Sequence, residues 1–439
     1  MARSSLSTTI SGVLAWEALD SRGNPTVACE VQLSGGATGS AIAPSGASTG
    51  AHEACELRDG ASRYGGKGVQ RAVANVSAVL ADAITGLDAS DQHSIDDALR
   101  AADGTANLCR LGANAILALS LASLKAAAAA AGEPLWRFAL DATQPKIELP
   151  MPMINIISGG AHAGRALDIQ DVLVVPIGAG AFSQALEWVD RVRRATAAEL
   201  AELGYPTALV ADEGGYGPDL PSNRSALEVV TTAIERAGFS PGNDVALALD
   251  IAASQFYDER SRRYILAAED RKLSADEWAR ELAGWCSSFP VISIEDGMAE
   301  DDWDGWAVLT KAIGSTTQIV GDDLFTTNSE RLQYGISRGV ANAVLVKPNQ
   351  IGTVSDTHAL IHAAKNAGYA TVISARSGET EQSWLADLSV AWRTGQIKVG
   401  SLARSERTAK WNRLLRLEAE LHDVALFAGR SGIAPLQPL

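Results

Sequence analysis

The chain has 439 residues, of which 46% are hydrophobic and 20% charged, and its formal net charge is −15. This length is sufficient for two or three domains with a large core. The excess of acidic residues disfavours non-specific binding to phosphate backbones, which requires clustered lysines and arginines, so we expect no nucleic-acid partner.

Cysteine usage and the start of the chain both predict a cytoplasmic protein. The cysteines form no C-x-x-C pair and are scattered over positions Cys29, Cys55, Cys109 and Cys286. This pattern is typical of reduced, buried thiols rather than of a disulfide framework or a zinc site. Residues 1–11 lack the apolar stretch of a secretory signal.

Residues 1–140 place strand patterns before helical ones. Residues 27–33 alternate imperfectly between apolar and polar types, and helical patterns cover residues 69–84 and 95–101. Strands followed by helices predict a small α+β domain that caps the rest of the chain.

A loop rich in glycine and serine, residues 44–50, interrupts this first domain. A loop of this kind can close over a site as a mobile lid. We therefore consider residues 45–49 a candidate lid that delivers a hydroxyl such as that of Ser48.

One apolar run resembles a membrane segment. It extends from Ala115 to Leu124 and continues past Lys125 into six alanines. The part before the lysine is too short to span a bilayer. We predict a buried, alanine-rich helix and no membrane contact.

Residues 141–152 contain three prolines and are interpreted as a linker. Residues 153–439 then show short apolar runs, about one βα unit apart over much of their length, each ending near a charged residue. Such runs describe a parallel (β/α)8 barrel or a doubly wound sheet, and the segment has the length of a barrel. In a barrel, residues at the carboxyl ends of the strands meet at one mouth.

Three acidic residues, Asp250, Glu295 and Asp322, each directly follow such a run. For any one of them alone, capping of the next helix is the more ordinary interpretation. Gathered at one mouth, however, three carboxylates repel one another unless a cation neutralises them. All-oxygen ligands favour Mg²⁺ over zinc.

Two lysines follow neighbouring runs, at Lys347 and Lys398. A buried lysine is costly unless it is paired, and cationic neighbours can lower its pKa enough to make it a base. Lys347 could also serve only as the ion-pair partner of Asp322.

Two further patterns point to the same mouth. Glu213 follows an apparent strand at residues 208–211 and precedes two glycines, so it forms either a tight turn or a carboxyl held near other anions and able to act as an acid. Arg376 and Ser377 offer a fork of donors and a hydroxyl, which suits an anion.

Taken together, these stretches closely resemble enolase (phosphopyruvate hydratase) over nearly the whole chain. The resemblance is carried by residues 18–25 (ALDSRGNP), 44–50 (PSGASTG), 212–215 (DEGG), 248–254 (ALDIAAS), 293–296 (SIED), 321–324 (GDDL), 347–352 (KPNQIG), 376–381 (RSGETE), 395–400 (GQIKVG) and 404–407 (RSER). It implies a modified (β/α)8 barrel after a small α+β domain, and a homodimer or dimer-based octamer. It also implies conversion of a small phosphorylated acid, 2-phosphoglycerate, to phosphoenolpyruvate with two Mg²⁺ ions.

The resemblance also assigns roles to individual residues. It implies that Asp250, Glu295 and Asp322 hold the first Mg²⁺, and that Ser48 joins the second. Lys347 would remove the C2 proton and Glu213 would assist loss of the C3 hydroxide. The residues implied to position the substrate carboxylate and phosphate are Lys398, Gln170, His162, Arg376 and Ser377.

The chain departs from the enolase pattern beside the substrate. Ala375 stands where enolases have histidine, Asp171 where a catalytic-site glutamate is expected, and Ser158 where asparagine is usual. The proposed metal ligands and Lys347 are intact. Three hypotheses follow: a working phosphopyruvate hydratase; a paralogue acting on a phosphoenolpyruvate analogue, as in the formation of carboxyphosphonoenolpyruvate; and, least favoured, a non-catalytic binding protein on an enolase scaffold.

Overall fold

The computed structural model describes residues 7–47, 49–60, 62–143, 146–164 and 167–434. Its N-terminal part is an antiparallel sheet of order β1-β2-β3 covered on one face by helices. These elements are β1 (Ile10–Leu19), β2 (Pro25–Leu33), β3 (Thr38–Ile42), α1 (Gln70–Asn75), α2 (Ala81–Ile84), α3 (Gln92–Asp103), α4 (Ala113–Ala131) and α5 (Leu135–Phe138). The strand predicted at residues 27–33 lies within β2, and a π-helical turn, Val76–Leu80, joins α1 to α2.

Helix α4 is the predicted alanine-rich helix, and it lies in the core of the N-terminal part. By length and composition alone it could cross a membrane, but 83% of its most apolar window is buried inside the fold. Gly39 permits its close approach to β3, since a Cβ there would clash with the backbone of Ala122 and Ala126. Glycine in the strand and alanine in the helix therefore let the two backbones approach closely at this point.

The remainder of the described chain forms a closed eight-stranded barrel surrounded by helices. Its eight strands are β5 (Met151–Ser158), β6 (Asp171–Val175), β7 (Ala246–Asp250), β11 (Val291–Glu295), β12 (Gln318–Gly321), β13 (Ala343–Val346), β14 (Ala370–Ser374) and β15 (Gly395–Gly400). Two small sheets lie outside the barrel: β4 (Ile147–Leu149) pairs with β16 (Ala425–Phe427), and β9 (Arg263–Leu266) pairs with β8 (Tyr257–Asp258) and β10 (Arg271–Leu273). Its helices are α6 (Phe182–Glu202), α7 (Asn223–Arg236), α8 (Ala275–Ser288), α9 (Trp303–Ile313), α10 (Ser329–Arg338), α11 (Pro348–Ile351), α12 (Val354–Asn366), α13 (Trp384–Ala391) and α14 (Ser405–Leu421). The predicted α+β domain followed by a barrel is thus confirmed.

The barrel is not wholly parallel. Its strand order is β11-β12-β13-β14-β15-β5-β6-β7, and β6 runs antiparallel to both β5 and β7. Residues 159–170 connect β5 to β6, and the described part of this connection holds a 3₁₀ turn (Gly160–Ala163) and no crossover α-helix, in agreement with the reversed direction of β6. As a result, the start of β6 lies at the same mouth as the ends of the other strands.

One expectation about local structure is corrected, and another gains detail. Within the predicted linker, residues 141–152, the structure places β4 and the first two residues of β5. The apparent strand at residues 208–211 is irregular, and Leu209 is 81% exposed there. An apolar run alone does not distinguish a buried strand from an exposed loop.

The prediction of four reduced, buried thiols is also corrected. Cys55 and Cys109 form a disulfide, with Cα atoms 4.9 Å apart and a sequence separation of 54. The loops that carry them are joined by a hydrogen bond from the Cys55 N–H to the carbonyl of Asn107, at 2.8 Å. Of the two free cysteines, Cys29 is buried and Cys286 is partly exposed.

Candidate active site at the barrel mouth

Strand register gathers the predicted acidic residues at one mouth of the barrel. Asp250, the last residue of β7, pairs in register with Glu295, the last residue of β11. Asp171, the first residue of the reversed strand β6, pairs with Asp250 from the other side. Asp322 and Lys347 directly follow β12 and β13.

Lys398 of β15 joins two of the three carboxylates. Its Nζ donates to Asp250 Oδ2 at 2.6 Å and to Glu295 Oε2 at 2.7 Å, and all three side chains are buried. Burial alone would lower the pKa of the Lys398 ammonium, but the two carboxylates raise it well above its usual value. Burial and the charge of Asp250 raise the pKa of Glu295, so this cluster remains short of positive charge.

Lys347 forms the second ion pair of the mouth. Its Nζ donates to Asp322 Oδ2 at 2.5 Å, and Gln350 Nε2 donates to the other carboxylate oxygen at 2.9 Å. Burial would lower the pKa of Lys347, but the charge of Asp322 raises it above its usual value, aided by Glu295. Both readings of Lys347, base and ion-pair partner, are compatible with this contact.

The compact acidic group at the mouth differs from the one the sequence suggested. In the described part of the chain, Asp296, Asp322 and Asp323 have oxygens within 4.8 Å of one another, whereas Asp250, Glu295 and Asp322 do not form such a group. Instead, Lys398 lies between Asp250 and Glu295, and Lys347 lies beside Asp322. Asp296 accepts the backbone N–H groups of Asp322 and Asp323, at 2.9 and 2.7 Å, and therefore fixes the turn that carries Asp322.

The donor set nonetheless fits a hard divalent cation. Asp250, Glu295 and Asp322 offer only carboxylate oxygens, which Mg²⁺ prefers. Glu295 Oε1 is buried and has no hydrogen-bond partner among the described residues. A buried carboxylate oxygen without a partner is costly, and a bound cation would satisfy it.

His162 lies between two carboxylates. Its Nδ1 is 2.9 Å from Asp171 Oδ2, and its Nε2 is 3.8 Å from Glu213 Oε1. Burial would lower the pKa of His162, but the charges of Asp171 and Glu213 raise it to about 9. The imidazole is therefore protonated at neutral pH.

Asp171 is fully engaged with its neighbours. Its Oδ1 accepts hydrogen bonds from Ser158 Oγ, at 2.9 Å, and from Asn155 Nδ2, while Oδ2 faces His162. Ser158 and Asp171 both depart from the enolase pattern, and the hydrogen bond between them helps to fix the Asp171 carboxylate. These contacts make Asp171 a positioning residue for His162.

The raised pKa of His162 predicts a pH-dependent contribution to stability. An unfolded histidine titrates near pH 6.5, so the contribution is fully present below that pH and is lost as the pH rises through about 9. Between these limits, the difference in unfolding free energy between wild type and His162→Gln should shrink by on the order of 3 kcal/mol. Urea unfolding at several pH values measures it, with the exposed His422→Gln as control. A pH-independent difference would contradict the assignment.

Glu213 reaches the mouth from a loop rather than from a strand end. Gly214, with φ +87°, turns the chain there, and a Cβ at this glycine would lie 2.6 Å from the carbonyl oxygen of Ala403. The sequence leaves open a tight turn or a carboxyl that neighbouring anions help to protonate, and the neighbours in the structure are mainly cationic. Burial raises the pKa of Glu213, but His162 and Arg407 lower it more, leaving a net decrease.

Gln170 also lies at the mouth. Its Nε2 donates to Asp250 Oδ2 at 3.2 Å, and its Oε1 accepts from Gln255 Nε2 at 2.6 Å. The amide is thereby fixed beside the carboxylates that Lys398 joins.

Arg376 and Ser377 lie where the candidate lid meets the barrel. Arg376 donates to both carboxylate oxygens of Glu53, at 2.9 and 3.1 Å, and Ser377 Oγ accepts the N–H of Ala47 at 2.6 Å. Ser45 and Gly378 exchange two backbone hydrogen bonds of 2.8 Å. The described part of the lid is thus docked on the predicted anion clamp, and Ser48 lies outside the described residues.

Several residues at the mouth were not predicted from sequence. Gln350, Asn349 and Arg407 all lie within stretches that resemble enolase. The buried guanidinium of Arg407 donates to the carbonyls of Arg376 and Ser377, each at 2.6 Å. Their position in those stretches was the available signal. No sequence signal pointed to Glu53, because its partner Arg376 is 323 residues away in sequence.

Comparison with known families agrees with this architecture. The family described as the enolase C-terminal TIM barrel domain matches residues 146–436. The family described as the enolase N-terminal domain matches residues 10–139. Together the two matches cover nearly the whole chain.

Proposed function

Because this chain belongs to the enolase family, we propose that it is a Mg²⁺-dependent lyase that converts 2-phosphoglycerate to phosphoenolpyruvate. One observation carries the proposal: Lys347 beside Asp322, and Lys398 between Asp250 and Glu295, meet in one buried mouth. A proton next to a carboxylate is barely acidic, because its removal places a second negative charge on the same group. Fixed positive charge at the carboxylate oxygens stabilises that dianion, which is typically the largest catalytic contribution.

The metal ligands in this proposal are Asp250, Glu295 and Asp322 for a first Mg²⁺, with Ser48 joining a second. Bound Mg²⁺ supplies positive charge to the substrate carboxylate. Lys398 adds its own charge to the same region and keeps Asp250 and Glu295 oriented. The partnerless Glu295 Oε1 supports this assignment.

Lys347 is the proposed base for the C2 proton. Its Nζ lies at the mouth and is held there by Asp322, so it is oriented toward the space shared with the other carboxylates. To accept a proton the amine must be neutral, whereas the charges of Asp322 and Glu295 favour the ammonium. Divalent positive charge on those carboxylates offsets this effect and favours the free amine.

Glu213 and His162 are proposed to assist loss of the C3 hydroxide. Departure as hydroxide is unfavourable, so a proton must be supplied as the C–O bond breaks. Glu213 is ionised by its cationic neighbours, and His162 carries a proton with a pKa of about 9. We therefore assign the proton to the Glu213–His162 pair, with Asp171 holding the imidazole in place.

Arg376, Ser377 and Gln170 are proposed to position the substrate. Arg376 offers a planar fork of donors, the arrangement best suited to phosphate oxygens. Its two hydrogen bonds to the carboxylate of Glu53 support this role, because they use the same fork of donors on an anionic partner. Gln170 faces the carboxylate side of the mouth through Asp250.

A second candidate function is a lyase acting on a phosphoenolpyruvate analogue, such as formation of carboxyphosphonoenolpyruvate in phosphinate biosynthesis. It is favoured by Ala375, a buried methyl group that precedes the anion clamp and offers no donor. The Asp171–Ser158 pair is the second departure on the substrate side. The proposed metal ligands and base are unchanged, which argues against the third candidate, a non-catalytic scaffold protein.

A steady-state assay with 2-phosphoglycerate and Mg²⁺, followed by enol absorbance, tests the first function. Turnover of about 1–10³ s⁻¹ is the ordinary enzymatic range and supports it. Absence of Mg²⁺ binding would overturn both enzymatic candidates.

Restoring the enolase pattern separates the two enzymatic candidates. If the natural substrate is an analogue, Ala375→His with Asp171→Glu should raise turnover of 2-phosphoglycerate by about 10²-fold, because a misplacement near 1 Å has that cost. If it is 2-phosphoglycerate, the double variant should gain little or lose activity. The single variants are the controls, and Ser158→Asn completes the series.

The same proposal includes a cytoplasmic homodimer or dimer-based octamer. Strand β1 lies at the edge of its sheet and exposes Leu14, Trp16 and Leu19, which supports burial against a second copy. A small phosphorylated acid is the proposed partner, and neither nucleic acid nor membrane is included. Disulfides are rare in the cytoplasm, so thiol titration of freshly prepared protein tests the cytoplasmic assignment: it should find Cys55 and Cys109 reduced.

A further inference from the structure

A second group of metal-ligating side chains shares no residue with the barrel mouth. It consists of Asp141, between α5 and β4, with His358 and His362 of α12. The two histidines are four residues apart, so their side chains lie on one face of the helix, a turn apart. The ligand atoms of the three residues lie within 4.8 Å of one another.

The distances match a tetrahedral ion with little rearrangement. His362 Nε2 is 3.2 Å from Asp141 Oδ2, and His358 Nε2 is 3.9 Å from the same oxygen. Ligands at ordinary zinc distances of about 2.0–2.1 Å stand roughly 3.3 Å apart around a tetrahedron. Of the three ligand pairs, His362–Asp141 has this spacing already, His358–Asp141 is about 0.6 Å wider, and the two histidine ligand atoms lie within 4.8 Å of each other.

The surroundings hold these side chains in place. Asp141 Oδ1 accepts the N–H and the hydroxyl of Thr143, at 2.9 and 2.6 Å, and Oδ2 faces the histidines. The His358 ring stacks on Trp392 at a centroid distance of 5.2 Å. These contacts act as the outer supports that orient ligands in metal sites.

His358 offers a ring nitrogen that a metal ion could bind. Its Nε2 is buried and has no hydrogen-bond partner among the described residues. At 3.9 Å from Asp141 Oδ2 this nitrogen is too distant to hydrogen-bond, and a cation bound between the two atoms would satisfy it.

We propose that Asp141, His358 and His362 bind one Zn²⁺ ion. Two imidazoles and a carboxylate suit this borderline cation, whereas Mg²⁺ prefers oxygen ligands and keeps its water. Asp141 lies between the regions matched by the two domain families, 10–139 and 146–436, and α12 belongs to the barrel. The ion would therefore fasten the segment between the domains to the barrel.

The test uses full-length protein without a histidine tag, titrated with Zn²⁺ in an excess of Mg²⁺ that saturates the oxygen ligands of the mouth. Metal analysis after dialysis gives the stoichiometry, and calorimetry gives the affinity. Wild type should retain one zinc per chain, and His358→Ala with His362→Ala should weaken that binding by at least about tenfold. His422→Ala, an exposed histidine elsewhere, is the matched control and should retain the ion.

Asp141→Asn preserves the shape of the side chain and should also weaken zinc binding, and circular dichroism of each variant verifies its fold. The thermal midpoint of wild type should rise with zinc, while that of the double histidine variant should not. Unchanged zinc stoichiometry in the double variant would overturn the proposal. Displacement of the zinc by Mg²⁺ would do the same, since it would assign the ion to the barrel mouth.

Discussion

Replacing Lys347 with alanine is expected to abolish exchange of the substrate C2 proton with solvent while leaving Mg²⁺ binding intact. The side chain supplies the only basic nitrogen that the proposed mechanism places at C2. A positioned base contributes about 10²–10⁴-fold to such a step. Removing the ammonium also releases Asp322 from its ion pair, so the affinity for Mg²⁺ should be equal to that of wild type or higher.

Loss of deuterium from C2-labelled 2-phosphoglycerate measures the exchange, and calorimetry measures Mg²⁺ binding. Lys311→Ala, which removes an exposed lysine of α9, is the matched control and should exchange at the wild-type rate. Exchange that persists in Lys347→Ala would remove this residue from its role. Loss of Mg²⁺ binding together with exchange would instead make Lys347 a support for the metal ligands.

Much of this arrangement could be predicted from the order of apolar runs and charged residues. Asp250, Glu295 and Lys347 each end or follow a buried strand, and the regular geometry of a barrel then brings them together. The periodicity of the strands is a local property, so it is visible in a single sequence.

The reversal of β6 and the loop that carries Glu213 could not be predicted in this way. The direction of β6 depends on the connection after β5, which gives no periodic signal. The loop near Glu213 is fixed by distant contacts, such as the hydrogen bond from the Ser401 N–H to the Glu213 carbonyl at 2.8 Å. Contacts of this kind depend on the complete fold.

The protonation states of the mouth also required coordinates. Glu213 has acidic neighbours in sequence, but in space the cations His162 and Arg407 dominate its surroundings and lower its pKa. The disulfide is a similar case, because Cys55 and Cys109 are adjacent only after the loops have packed. Charge and redox chemistry follow spatial neighbours rather than sequence neighbours.

Replacing Lys398 with methionine is expected to make the stability of the protein depend strongly on Mg²⁺, in addition to eliminating turnover. The substitution keeps the volume but leaves Asp250 and Glu295 buried without their ammonium partner. Breaking a buried ion pair from one side costs about 3–5 kcal/mol. If the two carboxylates bind Mg²⁺, an ion concentration of 100 times the dissociation constant should restore about 2.7 kcal/mol by mass action.

Lys410→Met is the matched control, since Lys410 is equally buried and pairs with Glu379 at 2.9 Å. Its loss should destabilise the fold by a comparable amount, but Mg²⁺ should not rescue it. Chemical unfolding of both variants with and without Mg²⁺ gives the comparison. Equal rescue of both variants would mean that the ion stabilises the fold generally. No rescue of Lys398→Met would show that Asp250 and Glu295 do not share a cation, and the proposed chemistry would lose its metal.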